Sequence, residues 1–349
     1  MNTIRQSLGV DCSKDTLDVS HSLLNAGFEV NVNACEVFEN NSKGFNRLLK
    51  WKNKHGLKNL PCQIIIEATG VYHEPLTYWL TEKGMEVVVV LPNKIRNYCR
   101  TTDVRTITDK ISAKQIAEFG LVKKLDPWQK PDQVYMQLRN LTRERMQLMD
   151  EKTIALNQLH AHEHAVVSTP ATEKRSKQRI AFIEKQILQI ESEIASIINN
   201  HSALKTRLEK VCSIKGVGLI TAVTMIAETN GFNLIRNSRQ LVCYAGYDVI
   251  SHQSGTSVNT KARISHRGNK YIRRALYFPA LTAVQHNKQL GDLYNRLFDK
   301  QKIKMKSYVA VQRKLLVIIY TLWNKNECYD PAYLKYLEQP ILAALTELD

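Results

Sequence analysis

The chain has 349 residues, 44% hydrophobic and 23% charged, so we expect two or three domains and no apolar run long enough to span a membrane. Its formal net charge of +16 favours a polyanionic partner, above all nucleic acid, over acidic small molecules. Seven scattered cysteines, never spaced as C-x-x-C, argue against a disulfide framework and a structural zinc site.

The amino-terminal segment predicts a three-strand meander. Residues 8–11 and 16–19 are strand-like runs on either side of a polar turn, and a third extended run covers residues 28–38. The chain enters its first strand without the basic segment, apolar core or cleavage pattern of an export signal, so we expect a cytoplasmic protein.

Helix and strand patterns then alternate up to about residue 125. Helical patterns cover residues 42–55 and 74–83, and continuous apolar runs typical of buried strands cover residues 63–67 and 87–91. Such alternation predicts a largely parallel sheet after the meander.

A long amphipathic pattern covers residues 134–201 and is broken at Thr169-Pro170. We expect two long helices, paired antiparallel or packed across a dimer, and an ordinary helical hairpin without a partner is the alternative. The apolar positions at heptad-like spacing are Leu138, Leu141, Leu148, Ile180, Ile183, Ile187, Ile190 and Ile194, with Arg145 among them.

From residue 211 onward the chain predicts a third, mostly helical unit. Its turns contain Gly216, Gly218, Gly246, Gly255 and Gly268. An apolar helix over residues 308–323 has the stripe of a core element.

Three acids stand where predicted elements end or begin. Asp11 and Glu67 close two strand runs, and Asp109 opens a predicted helix, so the three carboxylates could meet at one sheet edge around a hard divalent cation. Taken singly, Asp11 could cap the adjacent turn, Glu67 could be a surface acid and Asp109 could be a helix cap.

Residues 212–220 place Lys215, Gly216 and Gly218 between two helical stretches, as in a helix-hairpin-helix element that binds phosphate through backbone N–H groups. A tight turn between two helices explains the triplet equally well.

Residues 249–291 contain no Asp or Glu, although basic residues are frequent there and Tyr271 and Tyr277 lie among them. A solvated helix normally mixes charge signs, so this one-sign stretch favours a nucleic-acid backbone as its partner. The basic residues are Lys261, Arg263, Arg267, Lys270, Arg273, Arg274 and Lys288.

Several motifs occur together in a recognisable order. Residues 9–14 read GVDCSK, residues 67–72 read EATGVY, and Asp109 follows Thr108. Further on, residues 240–247 read QLVCYAGY, residues 252–257 HQSGTS, and residues 264–270 ISHRGNK. This order resembles the insertion-sequence one-ten (IS110) family of DEDD transposases, which includes pilin-gene invertases, and the resemblance covers most of the chain.

The resemblance implies an α/β ribonuclease H-like amino-terminal domain similar to the resolvase RuvC, whose acids bind one or two Mg²⁺ ions. Asp11, Glu67 and Asp109 match the family's metal-binding acids. The family's fourth acid is replaced by Ser112, which can hold a metal-bound water but adds no charge, and Asp103 or Glu118 could compensate.

The resemblance also implies that Ser254 is a nucleophile that forms a phosphoserine link to cleaved DNA, activated by the metal-holding acids. Arg263, Arg267 and Lys270 would neutralise the phosphate. From the residues alone, Ser254 could instead make a loop hydrogen bond, and Ser251 or Ser257 could be the reactive hydroxyl.

Family members act as dimers or tetramers on donor and target double-stranded DNA and are guided by a structured non-coding RNA, so these are the expected partners here. The rival hypotheses are a metal-dependent nuclease or junction resolvase that uses water, and a degenerate, DNA-binding protein without catalysis. The expected organisation is a RuvC-like domain (1–125), a helical hairpin or coiled coil (126–205), a mainly α-helical transposase domain with the helix-hairpin-helix and the serine (206–330), and a tail (331–349).

Overall fold

The structure is a computed structural model, and it describes residues 2–102, 104–106, 108–167, 169–251, 253–254, 258–259 and 263–331. Internal contacts divide the chain into two compact units, Met1–Lys130 and Pro131–Asp349. No helix in the described ranges has the length and apolar character that crossing a membrane requires.

The first unit is a five-stranded sheet with four helices. Its elements are β1 (Thr3–Cys12), β2 (Thr16–Asn25), β3 (Val30–Glu39), α1 (Ser42–His55), β4 (Cys62–Glu67), α2 (Glu74–Glu82), β5 (Val87–Val90), α3 (Pro92–Cys99) and α4 (Asp109–Val122). The strand order is β3-β2-β1-β4-β5, in which β2 is antiparallel to both neighbours and β1, β4 and β5 are parallel. The predicted meander and the parallel strands after it are confirmed, and this mixed sheet fits a ribonuclease H-like domain.

Strand alternation gives the sheet two different faces. Leu8, Val10 and Cys12 of β1 are buried in a core shared with side chains of α1 and α2. The intervening residues Ser7, Gly9 and Asp11 point to the opposite face, where α4 packs on β1 and β2. Asp11 therefore lies on the α4 face, at the end of its strand.

Gly9 allows α4 to lie directly on β1. A Cβ at this position would be 2.2 Å from the Ala113 carbonyl oxygen and 2.3 Å from the Ala117 nitrogen, both backbone atoms of α4. The Ser7 hydroxyl donates to the Ala117 carbonyl at 2.5 Å, which fixes the helix along the same strand. This close approach brings the first turn of α4 to Asp11.

We predict that Gly9→Ala lowers the free energy of unfolding of the first unit by about 2 kcal/mol, because backbone must move to admit the methyl group. Urea unfolding measures the change. Gly27→Ala is the matched control, since a Cβ there meets nothing closer than 3.4 Å. Equal destabilisation by the two substitutions would contradict the packing role of Gly9.

The second unit is mainly helical. Its helices are α5 (Gln133–Glu163), α6 (Pro170–Asn199), α7 (Ser202–Cys212), α8 (Leu219–Glu228), α9 (Ser238–Ala245), α10 (Lys270–Ala275), α11 (Tyr277–His286), α12 (Lys288–Gln301) and α13 (Lys304–Lys325). Four two-residue strands lie between α9 and α10, namely β6 (Val249–Ile250), β7 (Gln253–Ser254), β8 (Val258–Asn259) and β9 (Arg263–Ile264).

The two long helices α5 and α6 pair antiparallel within one chain. Ion pairs join Arg145 to Glu191 and Lys152 to Glu184, so residues further along α5 meet residues earlier in α6. The predicted isoleucine stripe of α6 is buried, and from Ile183 to Ile194 it packs in the same core as Leu138 and Leu148 of α5. Pro170 occupies the first turn of α6, where a missing N–H costs nothing, which explains the predicted break.

The long helix α13 supplies the centre of the second core, as its apolar stripe predicts. Buried residues on this helix include Val311, Leu315, Ile319 and Trp323. The Trp323 indole N–H donates to the Gly231 carbonyl at 3.0 Å, so its polar atom is satisfied inside the core.

Candidate active site

Asp11 and Glu67 emerge side by side at the carboxyl edge of the parallel strands. Val10 of β1 is in register with Ile66 of β4, so the next residue on each strand is an acid. Glu67 shares its strand face with Ile65, which packs in the core formed with α4, and this is the face on which Asp11 lies. The sheet therefore places Asp11 and Glu67 at corresponding ends of neighbouring strands, as the sequence predicts.

Helix α4 adds Asp109 and Ser112 to this edge. Burial, the nearby Asp109 carboxylate and Asp18 together raise the pKa of Asp11 from 3.8 to about 6. A hydrogen bond from the Ser112 hydroxyl to Asp11 acts in the opposite direction. Asp109 and Ser112 therefore both act directly on Asp11, as their shared position in the first turn of α4 requires.

A fourth acid, Asp18, lies at the same edge and was not among the candidates from the sequence. It is directly opposite Asp11 in the antiparallel pairing of β1 with β2. Burial and the Asp109 carboxylate raise its pKa. The sequence signal that could have found it is the hairpin register, because pairing the two runs around a tight turn after Cys12 aligns Asp11 with Asp18.

Glu67 belongs electrostatically to the same group. Burial and the charge of Asp11 raise its pKa, while Arg96 of α3 lowers it. The pKa of the adjacent Cys12 thiol is raised by burial and by both carboxylates, so this cysteine stays protonated in the apolar core.

Closing the turn after β1 and capping α4 are structural roles that Asp11 and Asp109 could have had, but other residues have them. The turn after Cys12 is closed by Ser13, whose backbone N–H and hydroxyl donate to the Thr16 carbonyl at 2.9 and 3.0 Å. Thr108 caps α4, because its hydroxyl accepts from the Ile111 N–H at 3.3 Å. Neither Asp11 nor Asp109 is therefore explained as a cap.

The two residues expected to compensate for Ser112 have different outcomes. The Glu118 carboxylate accepts from the Tyr98 hydroxyl at 2.8 Å and lies 3.5 Å from the Gln115 amide, and it does not affect the pKa of Asp11 or Glu67. Asp103 lies outside the described residues. Among the described acids, Asp18 is the one that adds charge to the group.

The donor chemistry of this edge fits a hard divalent cation, because carboxylate and hydroxyl oxygens are its preferred ligands and the mutually repelling acids favour positive charge. In the described part of the chain, no three His, Cys, Asp or Glu side chains are arranged closely enough to bind a metal ion. The fit therefore rests on the kind of donor and the shared electrostatics of Asp11, Asp18, Glu67 and Asp109.

In the second unit, Ser254 lies on a short antiparallel ribbon formed by β6, β7, β8 and β9, here called the serine ribbon. Its backbone forms β7 and pairs with Val258 of β8, while the base of the ribbon pairs Val249 with Ile264. The side chain of Ser254 lies outside the described part of the structure, as do Ser257 and Lys261, whereas Ser251 is exposed.

The base of this ribbon rests on a close contact between two glycines. A Cβ on Gly268 would be 2.5 Å from the Gly246 nitrogen, and Gly246 has a positive φ of 77°. The Arg273 guanidinium donates to the Ala245 carbonyl at 2.7 Å, and Ser265 hydrogen-bonds to Asp248. Arg273, expected to contact nucleic acid, thus already has a structural hydrogen bond.

A buried ion pair supports the same region from α8. The Glu228 side chain is 1% exposed and accepts from Arg143 of α5 through Nε at 2.6 Å and Nη2 at 2.7 Å. Asn269 donates to Glu228 at 2.6 Å, and its own side chain caps the start of α10. No sequence motif indicated this network, because its members are far apart along the chain.

The Gly-x-Gly triplet joins α7 to α8. Gly216 has a φ of 94°, and a Cβ there would be 2.9 Å from Thr282 of α11, so both conformation and packing require glycine. Gly218 lies in extended backbone with open space around it, and Lys215 is exposed. Packing and backbone conformation therefore account for the glycine at position 216. Phosphate binding by the triplet stays a prediction.

The remaining basic candidates lie around the ribbon and α10. Arg263 is exposed on β9, and Arg267 and Lys270 are exposed on either side of Asn269. Arg274 is exposed on α10 and forms an ion pair with Asp150 of α5. These cations therefore lie between the last strand of the ribbon and the end of α10.

Comparison with known proteins identifies the family. Residues 8–166 match the family model DEDD_Tnp_IS110, described as "Transposase", and residues 208–295 match the model described as "Transposase IS116/IS110/IS902 family". The chain belongs to the IS110 family of transposases and recombinases. Membership in this family supports a DNA recombinase or transposase activity and binding to DNA.

The relatives in sequence agree with this assignment. The chain is 27% identical over 328 residues to the pilin gene-inverting proteins of Moraxella bovis and Moraxella lacunata, an alignment that covers 93% of this chain and 97% of each relative. The transposase for insertion sequence element IS1111A of Coxiella burnetii is 30% identical over 124 residues, 35% of this chain and 34% of that protein. RuvC of T. thermophilus in complex with a Holliday junction substrate aligns with 36% of this chain and 100% of its own, with 10% identity and a TM-score of 0.27.

Proposed function

We propose that this IS110-family protein cuts and rejoins DNA through a covalent phosphoserine formed on Ser254, with Mg²⁺ bound by the acids of the first unit. The observation that carries the proposal is the electrostatic grouping of Asp11, Glu67 and Asp109 at one sheet edge, in a chain whose second unit matches the family's other domain.

In the first step, the Ser254 oxygen attacks a DNA phosphorus and forms a P–O bond, while the bond from phosphorus to a deoxyribose oxygen breaks. The serine hydroxyl loses its proton and the departing deoxyribose oxygen gains one, so one ester replaces another. A deoxyribose hydroxyl of the recombining strand later reverses the step, and no external energy source is needed.

Asp11, Glu67 and Asp109 would bind one or two Mg²⁺ ions, with the Ser112 hydroxyl holding a water and Asp18 supplying the negative charge that Ser112 lacks. A bound divalent cation would supply positive charge to the phosphate as its ester bond breaks. In this proposal one of these carboxylates would also take the proton that Ser254 must lose.

Basic residues of the second unit would hold the nucleic acid. Arg263 is exposed on β9 of the ribbon, and Arg267 and Lys270 are exposed just after it, where the three would neutralise the reacting phosphate. A structured guide RNA that pairs with donor and target DNA would recognise the DNA sequence. The protein would act as a dimer or tetramer. The exposed Lys215 beside the Gly-x-Gly turn would contact a backbone phosphate.

The deciding experiment is isolation of a protein–DNA adduct. The protein is incubated with Mg²⁺, RNA transcribed from the sequence that flanks its gene, and DNA that contains the junctions of its element. The mixture is then denatured, and the modified residue is mapped by mass spectrometry. We expect an adduct on Ser254 that disappears in Ser254→Ala, while Ser251→Ala and Ser257→Ala retain it.

The rival functions give different results in the same assay. A nuclease or resolvase that uses water would cut DNA without an adduct, and Ser254→Ala would cut as well as the unmodified protein. A degenerate, DNA-binding protein would bind DNA and cut it under no metal condition. Either result would overturn the proposed serine chemistry.

A further inference from the structure

A groove in the second unit lies between the long helix α5 and the short helix α10. It encloses about 650 Å³ and is open to solvent. Its wall on α10 is formed by Lys270, Tyr271 and Arg274, one turn of the helix that follows the serine ribbon. The residues that line it from α5 are Asn140, Arg143, Glu144, Met146, Gln147 and Asp150.

Cations and an aromatic ring are grouped on this wall. The Arg143 guanidinium carbon lies 4.4 Å from the centroid of the Tyr271 ring, and the Lys270 ammonium lies 5.2 Å from it. Lys270 has no ion pair or hydrogen bond within the described ranges, and it is exposed. An exposed ammonium above a half-buried ring is a free site for an anion beside a flat surface.

The Arg274 guanidinium in the groove is paired with an acid of the same chain, Asp150. Both terminal nitrogens of Arg274 donate to the two carboxylate oxygens of Asp150, in a fork geometry that also suits a phosphate. The pair is about half exposed, at 47% and 53% of the two side chains, so it contributes little to folding. Arg274 and Lys270 both lower the pKa of Asp150, so the Lys270 ammonium is near enough to act on this carboxylate electrostatically, although only Arg274 is hydrogen-bonded to it in the described residues.

We propose that this groove binds the phosphodiester backbone of a nucleic acid, and that the incoming phosphate displaces Asp150 from Arg274. The acid occupies the site until a phosphate arrives, so it weakens binding of other anions and favours a polyanion that also engages Lys270. The proposal rests on the proposed function and gives α5, the helix of the hairpin, a direct part in holding the substrate.

Binding is measured by fluorescence anisotropy on the full-length protein without divalent metal, using labelled duplex DNA and a labelled RNA hairpin of equal phosphate number. Asp150→Asn is expected to tighten binding about three- to tenfold, because it removes both a competitor and a repelling charge. Arg274→Gln is expected to weaken binding about tenfold and to reduce the slope of log affinity against log salt by about one.

Two further variants make the result specific to the groove. Glu184→Gln makes the same change in formal charge but removes an acid that pairs with Lys152 on the hairpin, so we expect less than about a twofold change. In the double variant Asp150→Asn with Arg274→Gln, the gain from removing the acid should disappear, because no guanidinium is released.

A gain with one probe assigns the groove to DNA or to RNA, and a gain with both supports a shared phosphodiester site. The proposal is overturned if Asp150→Asn binds neither probe more tightly than Glu184→Gln does. Because the assay contains no metal and needs no cutting, a failure here leaves the Ser254 adduct test unaffected, and a missing adduct leaves the groove measurement valid.

Discussion

Replacing Asp11 with asparagine is expected to reduce DNA cutting at least a thousandfold while making the first unit more stable. The loss follows because a central oxygen donor of the acidic edge becomes a neutral amide. The gain follows because the carboxylate is partly buried and repelled by Asp109 and Asp18, and its removal relieves that repulsion. Because solvent screens this partly exposed carboxylate, we expect less than the full equivalent of the pKa shift, an increase of about 2 kcal/mol in the free energy of unfolding at neutral pH without metal.

The pH dependence gives this prediction a definite sign. Since the pKa of Asp11 is raised from 3.8 to about 6, the folded protein holds this proton more tightly than the unfolded chain does. The charged carboxylate therefore becomes increasingly destabilising as the pH rises from about 4 to about 6. The advantage of Asp11→Asn should grow over that interval and stay constant above it.

Urea unfolding at several pH values and a cutting assay with Mg²⁺ test the two parts together. Asp15→Asn is the matched control, because Asp15 is exposed in the neighbouring turn and does not contribute to the raised pKa of Asp11. An Asp11→Asn protein that cuts at the unmodified rate would remove Asp11 from the active site. One that is destabilised at neutral pH would contradict the electrostatic repulsion.

Arg143→Ala is expected to lower the stability of the second unit by about 3 kcal/mol, because it leaves a buried carboxylate without its positive partner. Glu228 is 1% exposed, and among the residues that the structure describes it would retain only the Asn269 amide as a side-chain donor. Asn269 caps α10, so the loss should extend to the start of that helix and to the base of the serine ribbon.

Hydrogen–deuterium exchange by mass spectrometry, read on peptides from α8 and α10, detects this change locally. Lys152→Ala on the same helix α5 is the matched control, because its partner Glu184 is about half exposed and the pair should contribute less than about 1 kcal/mol. Similar exchange rates for the two variants would show that the Arg143–Glu228 pair does not hold α10 in place.

Patterns that repeat over short distances were predictable from the sequence. Alternation and apolar runs gave the meander and the two parallel strands, and Pro170 marked the break between the long helices. The burial of the isoleucine stripe within one chain supports an intramolecular hairpin, which the heptad pattern alone did not distinguish from packing across a dimer. Local periodicity determines these features because each depends on near neighbours.

Features that depend on tertiary packing were harder to predict. Asp18 reads as an ordinary strand residue until the register places it opposite Asp11. Arg143 and Glu228 carry no local motif, and only the packing of α5 against α8 brings them together. For Gly9 and Gly268, nothing in the sequence indicates which backbone will come within 3 Å of the missing side chain.

The contact between Gly246 and Gly268 has a practical consequence for protein engineering. The residues that fix the base of the serine ribbon, including Asp248, Ser265 and Asn269, all lie outside the span from 251 to 263. Residues 251–263 can therefore be replaced by the matching segment of a relative. The contacts at the base of the ribbon are then made by residues of the protein that receives the segment. Chimeras joined at Val249 and Ile264 would transfer the reactive segment and leave the helical scaffold untouched.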